Sequence, residues 1–228
     1  MIPLRDDNPI RSRPVVTIAL IALCTLVFVW QLSLSANGQQ QAAYLFGFIP
    51  AVLFGNAQLE GQWIPAGATI ITSMFLHGGW LHLIGNMLYL WIFGDNIEDR
   101  LGRGRFVVFY LLCGAVAALG QGVADPRSAV PMIGASGAIS GVLGAYLVLY
   151  PRAKVLVLLP LLFFVTAVRV PALVVLGIWF AAQLLSSLAA APGSGGGVAF
   201  AAHVGGFVAG IASIRLFLRD RRRPRRRA

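Results

Sequence analysis

The sequence predicts an all-α polytopic membrane protein built as a bundle of six transmembrane helices. Composition is the first reason: the 228-residue chain is 58% hydrophobic and 11% charged, with a mean hydropathy of +0.79. A soluble domain carries about 25% charged residues. The second reason is that six apolar segments meet or approach the roughly 20 residues that a spanning helix needs. They lie at 15–34, 78–97, 105–123, 135–150, 171–190 and 201–218.

The segments differ in ways that bear on topology. The first follows three arginines and resembles a signal peptide, but its length and weak cleavage site favour a retained signal-anchor helix. The fourth is short and begins with glycines, so it is expected to start below the membrane surface. Residues 44–55 are aromatic-rich and amphipathic, which is typical of an interfacial stretch. Residues 151–170 are apolar but contain Pro160 and basic ends, and are expected to lie against the membrane face without crossing it. A flexible turn is predicted at 192–197.

Basic residues predict the orientation. Six spans place both termini on one side of the membrane, and that side then holds seventeen of the 18 Lys and Arg residues, with Arg127 alone on the other. Because Lys and Arg concentrate in cytoplasmic loops, both termini are expected to be cytoplasmic. Removing one span would scatter these charges over both sides.

The chain divides into a cytoplasmic segment at 1–14, a membrane domain at 15–218 and a basic cytoplasmic tail at 219–228. Despite the net charge of +10, no nucleic-acid partner is expected, because the basic tail has no interleaved aromatics and lies beside a span. Such a tail is typical of a topology signal or of contact with anionic membrane lipid. Cys24 and Cys113 lie in separate apolar segments without ligand spacing, so neither a disulfide nor a metal is expected. The sequence indicates no cofactor and carries no signal for an oligomeric state.

Three polar clusters lie inside the apolar segments: His82–Asn86 in the second, Ser136 in the fourth and His203 in the sixth. Polar groups in hydrocarbon cost free energy, so they usually mark a functional site. All three segments run from outside to inside, and each cluster falls within roughly 10 Å of the outer surface at 1.5 Å per residue. Their matched depth predicts one shared site.

Small residues indicate which helices touch. Gly206 and Gly210 follow His203 at i+3 and i+7, while Gly137 and Gly141 line one side of the serine helix. Small residues at this spacing let helix backbones approach closely in lipid. The serine and histidine helices are therefore expected to pack together.

The residue types predict acyl-transfer chemistry. Ser136 becomes a nucleophile when a base takes its proton, and His203 is the imidazole on the neighbouring helix. Since no Asp or Glu lies in the outer half of a predicted span, the prediction is a Ser–His dyad without a third acidic member. His82 and Asn86, at i and i+4, and the backbone N–H of Ser136 are candidate donors to an oxyanion.

Each feature also has an ordinary explanation. A lone intramembrane serine usually bonds a carbonyl of its own helix, and a lone histidine or asparagine more often joins helices. The joint pattern is what favours a site. His77 lies about 140° around the helix from His82, so it is expected to brace the loop or the helix start. Residues 95–100, with three acidic side chains and Arg100, are expected to form a salt-bridged turn at the cytoplasmic surface.

These motifs resemble those of the rhomboid family of intramembrane serine proteases. The resemblance rests on GASG around Ser136, AHxxGxxxG from Ala202 to Gly210, and HxxxN from His82 to Asn86, and it covers nearly the whole chain from the first span onward. It implies a six-helix rhomboid-like bundle, a Ser136 nucleophile and a His203 base. It also implies an oxyanion site of His82, Asn86 and the Ser136 amide, in a cavity open to the outside. The implied substrates are single-span membrane proteins, cut near the outer end of a locally unwound helix.

Two positions depart from the family pattern. Many relatives carry a Trp-Arg pair in the first outer loop, where this chain has Trp63 followed by Ile64. Some relatives stack an aromatic on the histidine one turn after the serine, where this chain has Ser140. Positioning of the histidine must then rely on other contacts. Neither departure removes a chemical group from the dyad.

Two other functions fit parts of the pattern. A non-catalytic rhomboid-like protein that binds membrane clients is expected to lack the serine or the histidine, and this chain retains both. A small transporter is expected to carry intramembrane carboxylates or paired broken helices, and no such carboxylate is found in the sequence. The preference for Arg over Lys and the Ala-rich spans favour a bacterial high-GC genome, and hence a plasma (inner) membrane location.

Overall fold

The computed structural model describes residues 2–61, 63–161, 164–189 and 199–218. The turn predicted at 192–197 and the basic tail at 219–228 lie outside the described residues. The described chain is mostly helical, which confirms the predicted fold class. The helices are α1 (Val15–Ser33), α2 (Ala36–Phe46), α3 (Pro50–Leu53), α4 (Ala66–Thr72), α5 (Trp80–Tyr89), α6 (Asp95–Leu101), α7 (Arg103–Ala124), α8 (Ser136–Leu149), α9 (Ala172–Ala189) and α10 (Phe200–Phe217).

Each predicted span corresponds to helical structure. Among the described residues, α1, α7, α9 and α10 are the helices long and apolar enough to cross a membrane on their own. A π-helical turn at Leu90–Gly94 joins α5 to α6, so the second span is helical from Trp80 to Leu101. Helix α8 has 14 residues. At 1.5 Å per residue it extends about 21 Å, less than the roughly 30 Å hydrocarbon core, as expected for a fourth span that starts below the surface.

A three-stranded antiparallel sheet is the element that the sequence did not predict. Its order is β1-β2-β3, with the strands at Ile2–Asp6, Lys154–Leu161 and Phe164–Pro171. The segment expected to lie against the membrane face is therefore a hairpin paired with the N-terminal residues. Alternate side chains of a strand point to the same face of the sheet. Val155 and Val157 share such a face, and both are fully buried in the hydrophobic core. The apolar run and Pro160 concealed this alternation from the sequence.

Carboxylates of α6 hold the start of α1. The Glu98 side chain accepts hydrogen bonds from the backbone N–H of Val16 (2.9 Å) and Thr17 (2.7 Å) and from the Thr17 hydroxyl (2.8 Å). Asp99 accepts from the backbone N–H (2.9 Å) and hydroxyl (2.6 Å) of Ser12. The predicted salt-bridged turn is therefore wrong for these two residues. Glu98 satisfies N–H groups that the first turn of α1 leaves unpaired, where the helix dipole also favours negative charge. Asp99 holds Ser12, which precedes the helix.

Asp6 ties β1 to the membrane helices. Its carboxylate accepts hydrogen bonds from the Tyr146 hydroxyl of α8 (2.5 Å) and from the side-chain amide of Asn96 in α6 (3.0 Å). Burial raises the pKa of Asp6 above its usual value, and the bond from Tyr146 opposes that rise. At the other end of the chain, Arg105 of α7 donates to the backbone oxygen of Leu218 (2.7 Å). Both described chain ends thus lie at the same end of the bundle.

Helices α8 and α10 pack backbone against backbone. A Cβ atom added at Gly206 would overlap the carbonyl oxygen of Gly137, and one added at Gly210 would overlap the carbonyl oxygen of Gly141. A Cβ at Gly141 would in turn overlap the Cys113 side chain of α7. Glycine is thus required at these contacts because there is no space for a side chain. This spacing lets three helices meet where lipid provides no hydrophobic drive for association.

The segment at residues 35–76, between α1 and α5, is fixed to the segment that precedes α8. Phe48 and Met132 exchange two backbone hydrogen bonds, of 3.0 and 2.8 Å, and the N–H of Ala51 donates to the carbonyl of Ser128 at 3.0 Å. Aromatic rings brace the loop: Phe46 makes edge-to-face contacts with Trp30 (5.9 Å between centroids) and Trp63 (6.0 Å). These contacts stabilise a loop that lacks the Trp-Arg pair found in many relatives.

The glycine contacts lead to a prediction about stability. Gly206→Val should lower the thermal unfolding temperature in detergent by several degrees, because overpacking costs about 1–3 kcal/mol and the obstructing group is backbone. Gly177→Val is the matched control, since a Cβ at Gly177 of α9 meets nothing within 4 Å. Both variants should still insert in the membrane, since hydropathy is unchanged. Equal melting of the two variants would contradict close α8–α10 packing.

Candidate active site

The site begins at a sharp bend before α8. Gly134 has φ of +121°, a conformation that side chains rarely adopt. A Cβ there would lie 2.6 Å from Nε2 of His82, so the His82 ring packs directly against this backbone. The N–H of Gly134 donates to the carbonyl of Ser73 at 2.8 Å. Ser136 follows as the first residue of α8, and its side chain projects at the N-terminus of this helix.

Ser136 and His203 form a hydrogen-bonded pair. The Ser136 Oγ atom lies 2.8 Å from Nε2 of His203. The His203 side chain is 9% exposed, and its helix touches α8 through the glycines described above. Because no side chain separates the two backbones, a hydroxyl on one helix reaches an imidazole on the other. The pair has the geometry needed for a nucleophile and its general base.

Two residues of α9 contact the His203 ring, and neither was predicted as a site residue from the sequence. Gln183 Oε1 lies 2.7 Å from Nδ1 of His203. The Trp179 ring lies 6.0 Å from the imidazole, measured between centroids, at an interplanar angle of 38°. Gln183 and Trp179 are four residues apart and so share one helix face. This four-residue spacing was the only sequence signal that linked the two residues. It did not distinguish this segment from an ordinary apolar span.

The backbone beside His203 is also held. Gln121 of α7 accepts a hydrogen bond from the N–H of Ala202 through Oε1, at 3.3 Å. This N–H belongs to the first turn of α10, where helical partners are lacking. Ser140 does not take the place of a stacking aromatic: its hydroxyl donates to the carbonyl of Ser136 at 2.6 Å. That is the local bond expected of an intramembrane serine.

Donor groups converge near Ser136 from α5. The Asn86 side chain is 7% exposed, and its Nδ2 has no hydrogen-bond partner among the described residues. His82 Nδ1 accepts from the N–H of Gly78 at 3.3 Å, which leaves a proton on Nε2, beside Gly134. The Ser136 N–H lies in the first turn of α8, where helical partners are also lacking. Unpaired buried donors are costly unless a ligand satisfies them, so this arrangement suits a developing anion.

His77 occupies a supporting position. Its backbone N–H donates to Gln31 Oε1 of α1 (3.0 Å), and its carbonyl accepts from Gln31 Nε2 (3.3 Å). The His77 ring lies edge-to-face against that of His82, 5.2 Å between centroids. His77 therefore connects α1 to the start of α5, as a bracing residue would, and its ring adjoins His82.

A cavity of about 1280 Å³ contains the polar groups. His82, Asn86, Ser136 and His203 all contribute to its wall. Residues of α5, Trp179 of α9 and residues between Asp125 and Gly134 also line the cavity. The described residues include no group of three or more His, Cys, Asp or Glu side chains that could hold a metal ion.

The fold and the cavity define a polytopic helical membrane protein with a Ser–His pair buried between its helices. Residues 63–220 match the Rhomboid domain family. The chain belongs to the rhomboid family.

Named relatives occur in mitochondria and in bacteria. The chain is 33% identical over 159 residues to "Rhomboid protein 1, mitochondrial" of Saccharomyces cerevisiae, covering 67% of this chain and 42% of that protein. It is 33% identical over 136 residues to "Rhomboid protease GluP" of Bacillus subtilis, covering 60% of this chain and 25% of the relative. It is also 38% identical over 88 residues to "Putative rhomboid protease YdcA" of Bacillus subtilis, covering 39% and 42%. The chain thus spans less than half the length of these relatives.

Proposed function

We propose that the protein is an intramembrane serine endopeptidase that hydrolyses peptide bonds in or near the transmembrane segments of membrane-protein substrates. The observation that carries this proposal is the 2.8 Å contact between Ser136 Oγ and His203 Nε2. It lies in a cavity that also receives the unpaired amide of Asn86. Family membership supports the same reaction class, because two relatives are named as a protease and a putative protease.

The residues supply each step of acyl transfer. His203 Nε2 takes the hydroxyl proton as Ser136 Oγ attacks the substrate carbonyl carbon. The resulting oxyanion accepts hydrogen bonds from Asn86 Nδ2, His82 Nε2 and the Ser136 N–H. His203 then gives its proton to the leaving amine, which breaks the C–N bond and leaves an acyl-Ser136 ester. Water, activated by His203, hydrolyses this ester and regenerates the serine. The cavity is large enough to hold both that water and an unwound peptide.

The first test of this proposal is covalent. A fluorophosphonate probe should label the detergent-solubilised wild type, and Ser136→Ala and His203→Ala should both lose labelling and cleavage of a transmembrane reporter. Chelators should have no effect on the wild type. Unchanged proteolysis by Ser136→Ala would refute the mechanism. A folded wild type that binds the reporter, yet neither cleaves it nor reacts with the probe, would favour the non-catalytic client-binding alternative.

A second test separates catalysis from packing at Asn86. If Asn86 donates to the oxyanion, Asn86→Ala should lower turnover by roughly 10- to 1000-fold with little change in melting temperature. The matched comparison is His77→Ala, which should act mainly through stability because it removes a ring from a residue that is only 1% exposed. Turnover is measured on the folded fraction of each variant. An Asn86→Ala protein that melts early while its folded fraction retains normal turnover would instead make Asn86 a packing residue.

We further propose that both termini face the cytoplasm of a bacterial plasma membrane. The support is the seventeen-to-one distribution of basic residues and the preference for Arg over Lys. A reporter active only in the cytoplasm should be active when fused after residue 228, and inactive when inserted near Arg127 in the loop between α7 and α8. The reverse pattern would contradict this orientation.

A further inference from the structure

Helix α9 is the least buried of the four long apolar helices, and it makes a polar contact with the proposed base, His203. The 18-residue window of α9 is 17% buried, compared with 22% to 44% for α1, α7 and α10. Its buried residues, Ala172, Val175 and Leu176, all lie in its first two turns. Gln183 lies about two turns further along, and its side-chain oxygen is 2.7 Å from His203 Nδ1. The reaction as described above makes no use of this bond.

The two ring nitrogens of His203 need opposite roles for the reaction to begin. Nε2 must accept the Ser136 proton, so it must be unprotonated, and the ring proton must then be on Nδ1. A proton on Nδ1 requires an acceptor, and Gln183 Oε1 is the acceptor that the structure provides. An imidazole with its proton on Nε2 would instead donate toward Ser136 and could not activate it. The partner of Nδ1 therefore decides whether Nε2 is available as a base.

We propose that Gln183 is a positioning residue that completes a hydrogen-bonded chain of Ser136, His203 and Gln183. Its amide oxygen holds the Nδ1-protonated tautomer and fixes the ring plane, with Trp179 packed beside the ring. The inference rests on the proposed protease function, and it names the third group that the sequence did not reveal.

The experiment compares Gln183→Leu with Gln183→Glu in the full-length protein, reconstituted with a transmembrane reporter. Leucine has similar bulk but cannot accept a hydrogen bond. Complete loss of general-base function costs about 100-fold or more. Because His203 is still present in Gln183→Leu, kcat should fall by about 10- to 100-fold. KM should stay within about twofold of the wild-type value. Glutamate keeps an acceptor at the same reach and should restore most of the lost kcat. The matched control is Ala182→Leu, which places a leucine at the neighbouring, exposed position of α9. It should behave as wild type.

A small probe separates positioning from substrate access. The rate of Ser136 labelling by a fluorophosphonate does not require a transmembrane segment to pass α9, so Gln183→Leu should slow labelling by the same factor as kcat. Normal labelling with impaired reporter cleavage would mean that Gln183 acts on substrate entry, and would overturn the inference. Wild-type kcat in Gln183→Leu, or no recovery in Gln183→Glu, would overturn it as well. An unreactive wild type would refute the protease function itself, whereas a reactive wild type with these results refutes the role of Gln183 alone.

Discussion

The close approach of α8 and α10 is the constraint on which the rest of the site depends. The carbonyl oxygens of Gly137 and Gly141 lie where the side chains of Gly206 and Gly210 would otherwise be. Any larger residue would increase the separation of the two helices. The Ser136–His203 distance of 2.8 Å leaves little room for such a shift, because a displacement of about 1 Å at reacting groups can cost 100-fold in rate. In lipid, this shape complementarity replaces the hydrophobic drive that assembles a soluble core.

The second span is fixed at both of its ends, and this positions the proposed oxyanion donors. At the α6 end, Glu98 accepts hydrogen bonds from the first residues of α1, and Asp99 accepts from Ser12 just before it. At the other end, Gln31 of α1 holds the backbone of His77 through both its N–H and its carbonyl. Helix α1 therefore contacts the second span near both of its ends. His82 and Asn86 lie between these two attachments, and their orientation toward Gly134 follows from this bracing.

His203 is held by groups from three other helices. Ser136 of α8 contacts Nε2, Gln183 of α9 contacts Nδ1, and Gln121 of α7 holds the adjoining backbone. Trp179 supplies an aromatic surface beside the ring. These contacts hold the His203 ring although position 140 carries a small residue. The aromatic contact comes from α9 and not from the turn that follows the serine.

The positions of the apolar helical segments were predictable from the amino-acid sequence, because apolar length is a local property of the chain. It also indicated Ser136, His203, His82 and Asn86 as one group, since matched depth can be counted along each helix. Contacts between side chains of helices that are distant in the chain could be identified only from the packed structure. Gln183 and Gln121 looked like isolated polar residues until their partners were in place. Glu98 was predicted to form a salt bridge, but it accepts hydrogen bonds from backbone N–H groups. Such partners cannot be identified from the sequence, because nearly every residue carries a backbone N–H. The sheet was hidden for a related reason: β1 and β2 are far apart in the chain, and strand pairing over such a separation leaves no local periodicity in an apolar run.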